Sequence, residues 1–276
     1  MKYLSAAFRI SRPVNVLISI LSIFVAVFIT GTLQPLSHVF LACISGGIIM
    51  AAANTINDYF DLEIDRINRP NRPLVMNELT PLQAMKLATF EFTAGLLLSF
   101  FISLTAFIIA GIVSSVIFLY SFKLKRMPVI GNLAVSFSTA MAFIYGGAAV
   151  NRVQETVVPA VLAFFYHFGR EIIKDIQDAE GDRQERARTF PIIFGDVAAL
   201  FLTTAIFVIL MILLPLPYYL LWYQREYWII VLFGVYPVLI FSLVSIWKNR
   251  TPVNLGRVST LLKADMLVGL LAIYVG

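Results

Sequence analysis

Charge is scarce in this chain. Asp, Glu, Lys and Arg together make up 13% of its 276 residues, roughly half of what a soluble domain carries. A soluble core of this size cannot hide a composition that is 59% hydrophobic, so the bilayer is the natural solvent and an ordinary water-soluble domain is excluded. Cysteine is rarer still. The single Cys43 rules out a disulfide framework within the chain and reads as a small core residue in an apolar stretch. Histidine occurs twice, at His38 and His167, and no Ser-His-Asp or Cys-His arrangement is visible. A short basic stretch from Met1 to Arg12 leads into a long apolar run without an A-x-A-like cleavage site, so the first helix is expected to be retained.

What the chain does have is long apolar runs. A span needs roughly 20 mostly apolar residues, and candidates fall near 14–31, 38–57, 81–102, 104–121, 130–149, 156–175, 192–214, 227–247 and 256–275. The third and fourth are divided only by a tight turn around Ser103 to Thr105. The expected fold is all-α: a multi-pass transmembrane bundle of about nine spans forming a single domain over residues 1–276. With nine spans only Arg152 and Arg225 fall on one side, and the remaining Lys and Arg lie on or next to the other. The positive-inside rule makes that basic side cytoplasmic, amino terminus included, in a cell membrane. Trp222 and Trp228 bracket the external start of span eight and Trp247 marks its internal end, as an aromatic belt would.

Two segments on the basic side break the apolar pattern in the same way. Asn54, Asp58, Asp61 and Asp65 close span two; Glu171, Asp175, Asp178 and Asp182 close span six. If the helix continues, offsets of three and seven residues place each set of aspartates on one face. Like charges so placed repel, and at membrane depth they are costly to desolvate. Mg²⁺ removes both problems, because it prefers carboxylate and water oxygens and bridges protein carboxylates to substrate phosphates. Two such clusters facing each other would hold a diphosphate between their metals. A solvated acidic helix end is the ordinary meaning of a charge run, but two copies with one spacing on one side argue against it.

The two clusters are related by a constant shift of 117 positions, which also carries Asn15 to Asn132. Four spans separate the copies, so they share orientation: two parallel four-helix pseudo-repeats around a central cavity. Cations gather at the same surface. Arg69 and Arg72 sit in Ile67-Asn68-Arg69-Pro70-Asn71-Arg72-Pro73, where the prolines prevent a helix from continuing. Lys123, Lys125 and Arg126 lie between spans four and five, and Arg170 and Lys174 beside the second cluster, with Arg183, Arg186 and Arg188 beyond it. Arginine grips phosphate through paired hydrogen bonds and lysine acts as a point charge; topology and anionic lipid headgroups are the competing use of such cations.

Acids for metal, bases for phosphate and an apolar bundle for a hydrocarbon tail define one chemistry. Mg²⁺ and cations stabilise a departing diphosphate, and an acceptor nucleophile captures the allylic centre while water is kept away. The catalytic, metal-holding set is Asp58, Asp61, Asp65, Asp175, Asp178 and Asp182. The phosphate-binding set is Arg69, Arg72, Lys123, Lys125, Arg126, Arg170 and Lys174, with Asn15 and Asn54 lining the cavity. The partners are a prenyl diphosphate, a lipid-like acceptor and membrane lipid, not nucleic acid. Elsewhere, Glu91 within span three is costly unless paired. Lys263 and Asp265 can satisfy each other or the cytoplasmic interface, His167 lies one turn before Glu171, and Gly46, Gly47, Gly146 and Gly147 suit close helix packing.

Asn57-Asp58-x-x-Asp61-x-x-x-Asp65 and Asp175-x-x-Asp178-x-x-x-Asp182 resemble the paired signature motifs of the UbiA-type intramembrane prenyltransferases. The resemblance covers essentially the whole chain, including Arg12-Pro13-x-Asn15. It implies Mg²⁺ carried by both motifs on a diphosphate, a prenyl tail in a lateral, lipid-accessible tunnel, and diphosphate contacts at Lys123 to Arg126 and Lys174. The stretches at Ile67 to Pro73, Tyr120 to Lys125 with Gly131-Asn132, and Arg170 to Asp175 are similar to family members that add a second geranylgeranyl chain to geranylgeranylglyceryl phosphate in ether-lipid synthesis. That acceptor carries its own phosphate, which gives Arg69 and Arg72 a use. After Leu74 the chain departs from those members, reading Val75-Met76-Asn77-Glu78 where they tend to have a small Ser/Gly-containing turn. The alternatives are prenylation of an aromatic acceptor in quinone or pigment synthesis and, from another class, a divalent-cation transporter, whose acids would sit at mid-membrane rather than beside cations. A CDP-alcohol phosphotransferase would need a D-G-x-x-A-R pattern, which is absent.

Overall fold

The computed structural model describes residues 2–184 and 187–276; Arg186, counted above among the cations, lies outside them. The described residues form helices and no strand. In chain order these are α1 (Lys2–Ile10), α2 (Pro13–Phe28), α3 (Leu36–Phe60), α4 (Leu62–Asn68), α5 (Pro81–Phe100), α6 (Leu104–Phe122), α7 (Ile130–Ala149), α8 (Val157–Gln184), α9 (Phe190–Phe194), α10 (Asp196–Leu213), α11 (Leu216–Tyr219), α12 (Arg225–Ile230), α13 (Tyr236–Lys248) and α14 (Pro252–Val275). Helix is what a lipid solvent demands, since it satisfies every backbone group within the segment.

Among the described residues seven helices are long and apolar enough to cross a membrane, or eight if the bent pair α1 and α2 counts as one span. The expected nine is therefore not confirmed by length and apolarity. The remaining candidate, α5, has 20 residues, but Gln83, Lys86 and Glu91 dilute its apolar character. It is nonetheless a separate helix from α6. Thr80 and Gln83 form a capping box at its start, and the Ser103 hydroxyl accepts from the Ala106 N–H to open α6. Two other expected spans change outline. The seventh is interrupted by Gly195, whose φ of 84° suits glycine and ends α9 before α10 begins. The eighth carries a π-helical turn, Val231–Val235, just before Pro237, which has no N–H to donate.

The chain divides into two compact units. One comprises the described residues up to Leu124 together with Met141–Thr156; the other comprises Lys125–Ala140 and Val157–Gly276, the boundary falling inside α7. In the first unit Ile23, Ala42, Ile49, Ala106, Tyr145 and Ala149 belong to one buried cluster. Polar rivets fix it: the Ser45 hydroxyl donates to the Gly95 carbonyl at 2.8 Å and accepts from Tyr145 at 2.8 Å. Small residues let these backbones approach. A Cβ on Gly146 would lie 2.7 Å from the Ile23 carbonyl oxygen and 2.8 Å from the Ala26 Cβ, whereas one on Gly111 would meet nothing within 4 Å. Gly146→Ala is therefore expected to cost about 1–3 kcal/mol through overpacking and to lower the thermal midpoint in detergent, whereas Gly111→Ala, the control without a clash, is expected to leave it unchanged or raise it.

The second unit packs α8 against α10 and α14. A Cβ on Gly169 would lie 2.2 Å from the Phe207 ring, so glycine is what allows α8 and α10 to meet. The Tyr166 hydroxyl lies 2.9 Å from the Leu262 carbonyl and 2.8 Å from Asp265 Oδ2, and Trp247 donates to Thr204 at 3.0 Å. Asp265 thus has a tyrosine partner.

Candidate functional site

The first motif is assembled by a kink and a loop. Proline at position 13 disfavours helical backbone at Arg12, and Arg12 takes a left-handed conformation with φ 51° and ψ 75° between α1 and α2, which bend by 52°. Asn54 stabilises that break, donating to the Ser11 carbonyl at 2.8 Å and accepting from Asn15 at 3.2 Å. Arg12 is thereby aimed at Asp58, a residue only 2% exposed, and forms an ion pair with it.

Arg72 reaches the same carboxylate from the loop after α4. Its Nη1 lies 2.8 Å from Asp58 Oδ1 and also pairs with Asp65 Oδ2. The loop is held by Leu74 and Leu79, buried with Ala6, Ile10 and Ala84, and by the ion pair of Arg9 with Glu78. Asn77 adopts φ 55° there, a left-handed conformation that asparagine tolerates better than most residues. The turn that departs from the family pattern therefore has its own local solution.

Asp61 is half-buried at the junction of α3 and α4, where helical backbone bonds persist on both sides: Asp61 N–H to the Asn57 carbonyl at 2.9 Å and Asp65 N–H to the Asp61 carbonyl at 2.8 Å. At Asp61 itself the backbone leaves helical geometry, with φ −96° and ψ 5°, so the first acidic helix is interrupted there rather than continuous. Burial pushes the Asp65 carboxyl up to about 6, a rise that the charge of Arg72 opposes and that of Asp58 reinforces. Arg69 is exposed, in contrast to half-buried Arg72.

The second motif keeps its helix. In α8 the chain runs unbroken through Glu171, Asp175, Asp178 and Asp182, the three aspartates half-buried. Asn132 donates to Asp175 at 2.8 Å. Glu171, 4% exposed, accepts from Lys174 at 2.8 Å, while Arg170 contacts it at 3.3 Å and donates from Nε to the Ser259 carbonyl at 3.1 Å. Lys174 and Arg170 thus have a carboxylate partner within their own helix. Lys123 and Arg126 are exposed and Lys125 half-buried around the short 3₁₀ turn Leu124–Arg126.

The repeat is legible in backbone geometry. Arg12 and Val129, separated by the same 117 positions, are both left-handed, with φ 51° and 64°. That conformation is a marked outlier for a β-branched valine. The polar bridges correspond with a one-turn shift: Asn15 to Asn54 in one unit, Asn132 to Asp175 in the other. Arg12 is the residue that the sequence reading left out of the site. Its signal was present in the Arg-Pro step and in its register with Val129. Glu91 leaves Oε2 buried without a hydrogen-bond partner.

Among the described residues no three His, Cys, Asp or Glu side chains gather as a ready-made metal site. The donor set nevertheless fits Mg²⁺. Asp58 and Asp65 offer hard carboxylate oxygens, and one cationic nitrogen already bridges them. Mg²⁺ characteristically takes one or two carboxylates and completes its shell with substrate phosphates and water.

Buried carboxylates answered by guanidinium groups stand beside apolar, membrane-length helices, and the chain is a membrane prenyltransferase: it belongs to the UbiA prenyltransferase family, whose model matches residues 18–260. It is similar to the digeranylgeranylglyceryl phosphate synthase of Methanosphaera stadtmanae, 32% identical over 268 residues covering 97% of each chain. A solved structure of digeranylgeranylglyceryl phosphate synthase in membranes matches at 32% identity and TM-score 0.81, over 100% of this chain and 99% of that one. A UbiA homologue from Archaeoglobus fulgidus bound to DMAPP and Mg²⁺ shares the fold at TM-score 0.74 and 22% identity, covering 100% of each chain.

Proposed function

We propose that this chain transfers a geranylgeranyl group from geranylgeranyl diphosphate to the free hydroxyl of geranylgeranylglyceryl phosphate, forming an ether and releasing diphosphate, with residues 1–276 working as one domain. The observation that carries the reading is the closed set in the first motif: Asp58 and Asp65 buried against Arg12 and Arg72. Such a set is costly to desolvate and has a use where a divalent cation and a diphosphate must be bound together. The similarity to digeranylgeranylglyceryl phosphate synthases over nearly the full length supports the acceptor.

In this reading Asp58, Asp61 and Asp65 in one unit, and Asp175, Asp178 and Asp182 in the other, hold Mg²⁺. The metal supplies positive charge to the diphosphate as it departs. Arg72, Lys123, Lys125, Arg126, Arg170 and Lys174 bind phosphate oxygens and offset the charge developing on the leaving group. Arg69 holds the acceptor's phosphate, with Arg72 able to serve it as well. Asn15 and Asn54 orient the donor head. The apolar helices exclude water, which would otherwise capture the allylic centre in place of the acceptor hydroxyl. The basic side, with the amino terminus, faces the cytoplasm of a cell membrane, following the distribution of Lys and Arg.

The test is a competition read by mass spectrometry. Purified chain, geranylgeranyl diphosphate and Mg²⁺ are offered geranylgeranylglyceryl phosphate together with hydroxybenzoate and naphthoate acceptors. The expected product is a digeranylgeranyl ether phosphate that disappears with chelator. A prenylated ring instead would keep the mechanism and overturn the acceptor.

A further inference from the structure

In the first motif the cation positions are already taken. Arg72 Nη1 sits between Asp58 Oδ1 and Asp65 Oδ2, and Arg12 pairs with that same Asp58 oxygen. Within these ion pairs two carboxylates and two guanidinium groups balance to zero charge. A divalent cation entering alone would compete with Arg72 for one place and leave two arginines beside it with a net excess of two positive charges. A diphosphate entering alone would find both guanidinium groups engaged and two carboxylates repelling it. Only when both arrive does every charge keep a partner: carboxylates turn to metal, guanidinium groups turn to phosphate.

We propose that Arg12 is a further diphosphate-binding residue, stored on Asp58, and that Arg12 and Arg72 exchange from carboxylate to diphosphate as the metal takes their place. The inference rests on the diphosphate chemistry proposed above. It makes metal and diphosphate binding mutually reinforcing at this motif. Arg12 is well placed for such a swing. Its side chain is about one-third exposed, against 2% for Asp58, and its backbone is fixed by Pro13 and by the Asn54 bond to Ser11 rather than by the ion pair. The break between α1 and α2 therefore persists when the guanidinium leaves.

The experiment measures binding without turnover. Free Mn²⁺, standing in for Mg²⁺, is counted by electron paramagnetic resonance over the purified full-length chain, with and without inorganic diphosphate, after subtracting the Mn²⁺ that diphosphate chelates in a protein-free titration. In the unmodified chain diphosphate is expected to tighten Mn²⁺ binding by roughly tenfold. Arg12→Gln is expected to bind Mn²⁺ alone roughly fivefold more tightly, because a competitor for Asp58 has gone, while losing most of the gain from diphosphate. Arg12→Lys should restore part of that gain, and Arg152→Gln, remote from the motif, should behave as the unmodified chain. An arginine that only neutralised Asp58 would also make the metal bind better when removed, but it would leave the gain from diphosphate intact. Weaker or unchanged Mn²⁺ binding in Arg12→Gln, or an undiminished diphosphate gain, would overturn the exchange; if geranylgeranyl transfer persists in the unmodified chain, the functional reading stands. A chain that binds neither Mn²⁺ nor diphosphate and transfers nothing would overturn both.

Discussion

Replacing Asp61 or Asp178 with alanine is expected to lower prenyl transfer by about three orders of magnitude, the scale on which preorganised charge at a developing anion acts, while leaving the protein extractable and monodisperse. Both carboxylates are half-buried in the middle of their motifs, Asp61 where α3 gives way to α4 and Asp178 inside the continuous α8. The Asp61 side chain makes no capping bond to the start of α4, so its loss does not unmake the helix. Asp178 lies on a helix that continues to Gln184, and alanine is the best helix former. The comparison is made by size-exclusion profile and thermal midpoint alongside turnover with saturating Mg²⁺. Normal turnover in either variant would remove that motif from the metal-binding role.

The second large effect separates two arginines that look alike in sequence. Arg72→Ala is expected to destabilise the protein by about 3 kcal/mol, because it strips the guanidinium from buried Asp65 and leaves buried Asp58 with Arg12 alone. Arg69→Ala, at an exposed position, is expected to stay within about 0.5 kcal/mol. The two part again on adding metal. A divalent cation can restore the charge that Arg72 supplied, so Mg²⁺ is expected to raise the thermal midpoint of Arg72→Ala more than that of the unmodified chain, by ordinary binding linkage. Scanning fluorimetry in detergent with a magnesium series reads both effects. Equal midpoints for the two variants would mean that the paired carboxylates are not stabilised by Arg72.

Much of the candidate site is legible in the sequence. The spacing of Asp58, Asp61 and Asp65 and its copy at Asp175, Asp178 and Asp182 identified the acidic motifs, because carboxylates cost too much at membrane depth to be placed there idly. The proline-bounded run through Arg72 identified a cation near the first motif. Which arginine closes on the carboxylates was not legible, since that depends on Leu74 and Leu79 seating the loop on α1. Arg12 was missed because a residue 46 positions from Asp58 meets it only after the chain bends between α1 and α2. Sequence placed Arg170 and Lys174 beside the second cluster, but that Glu171 pairs with both from within their own helix emerged only from the side-chain geometry.

Composition and periodicity suffice for the class and the lipid solvent, because a bilayer accepts little else from a chain that is 59% hydrophobic. Identity of spacing suffices for the repeat, because helical geometry converts sequence offsets directly into shared faces. Packing decided the rest: the interruption at Asp61, the left-handed turns at Arg12 and Val129, and the ion pairs that join Asp58 and Asp65 through one guanidinium. Those features depend on contacts between residues distant in the chain, and such contacts leave no local period to read.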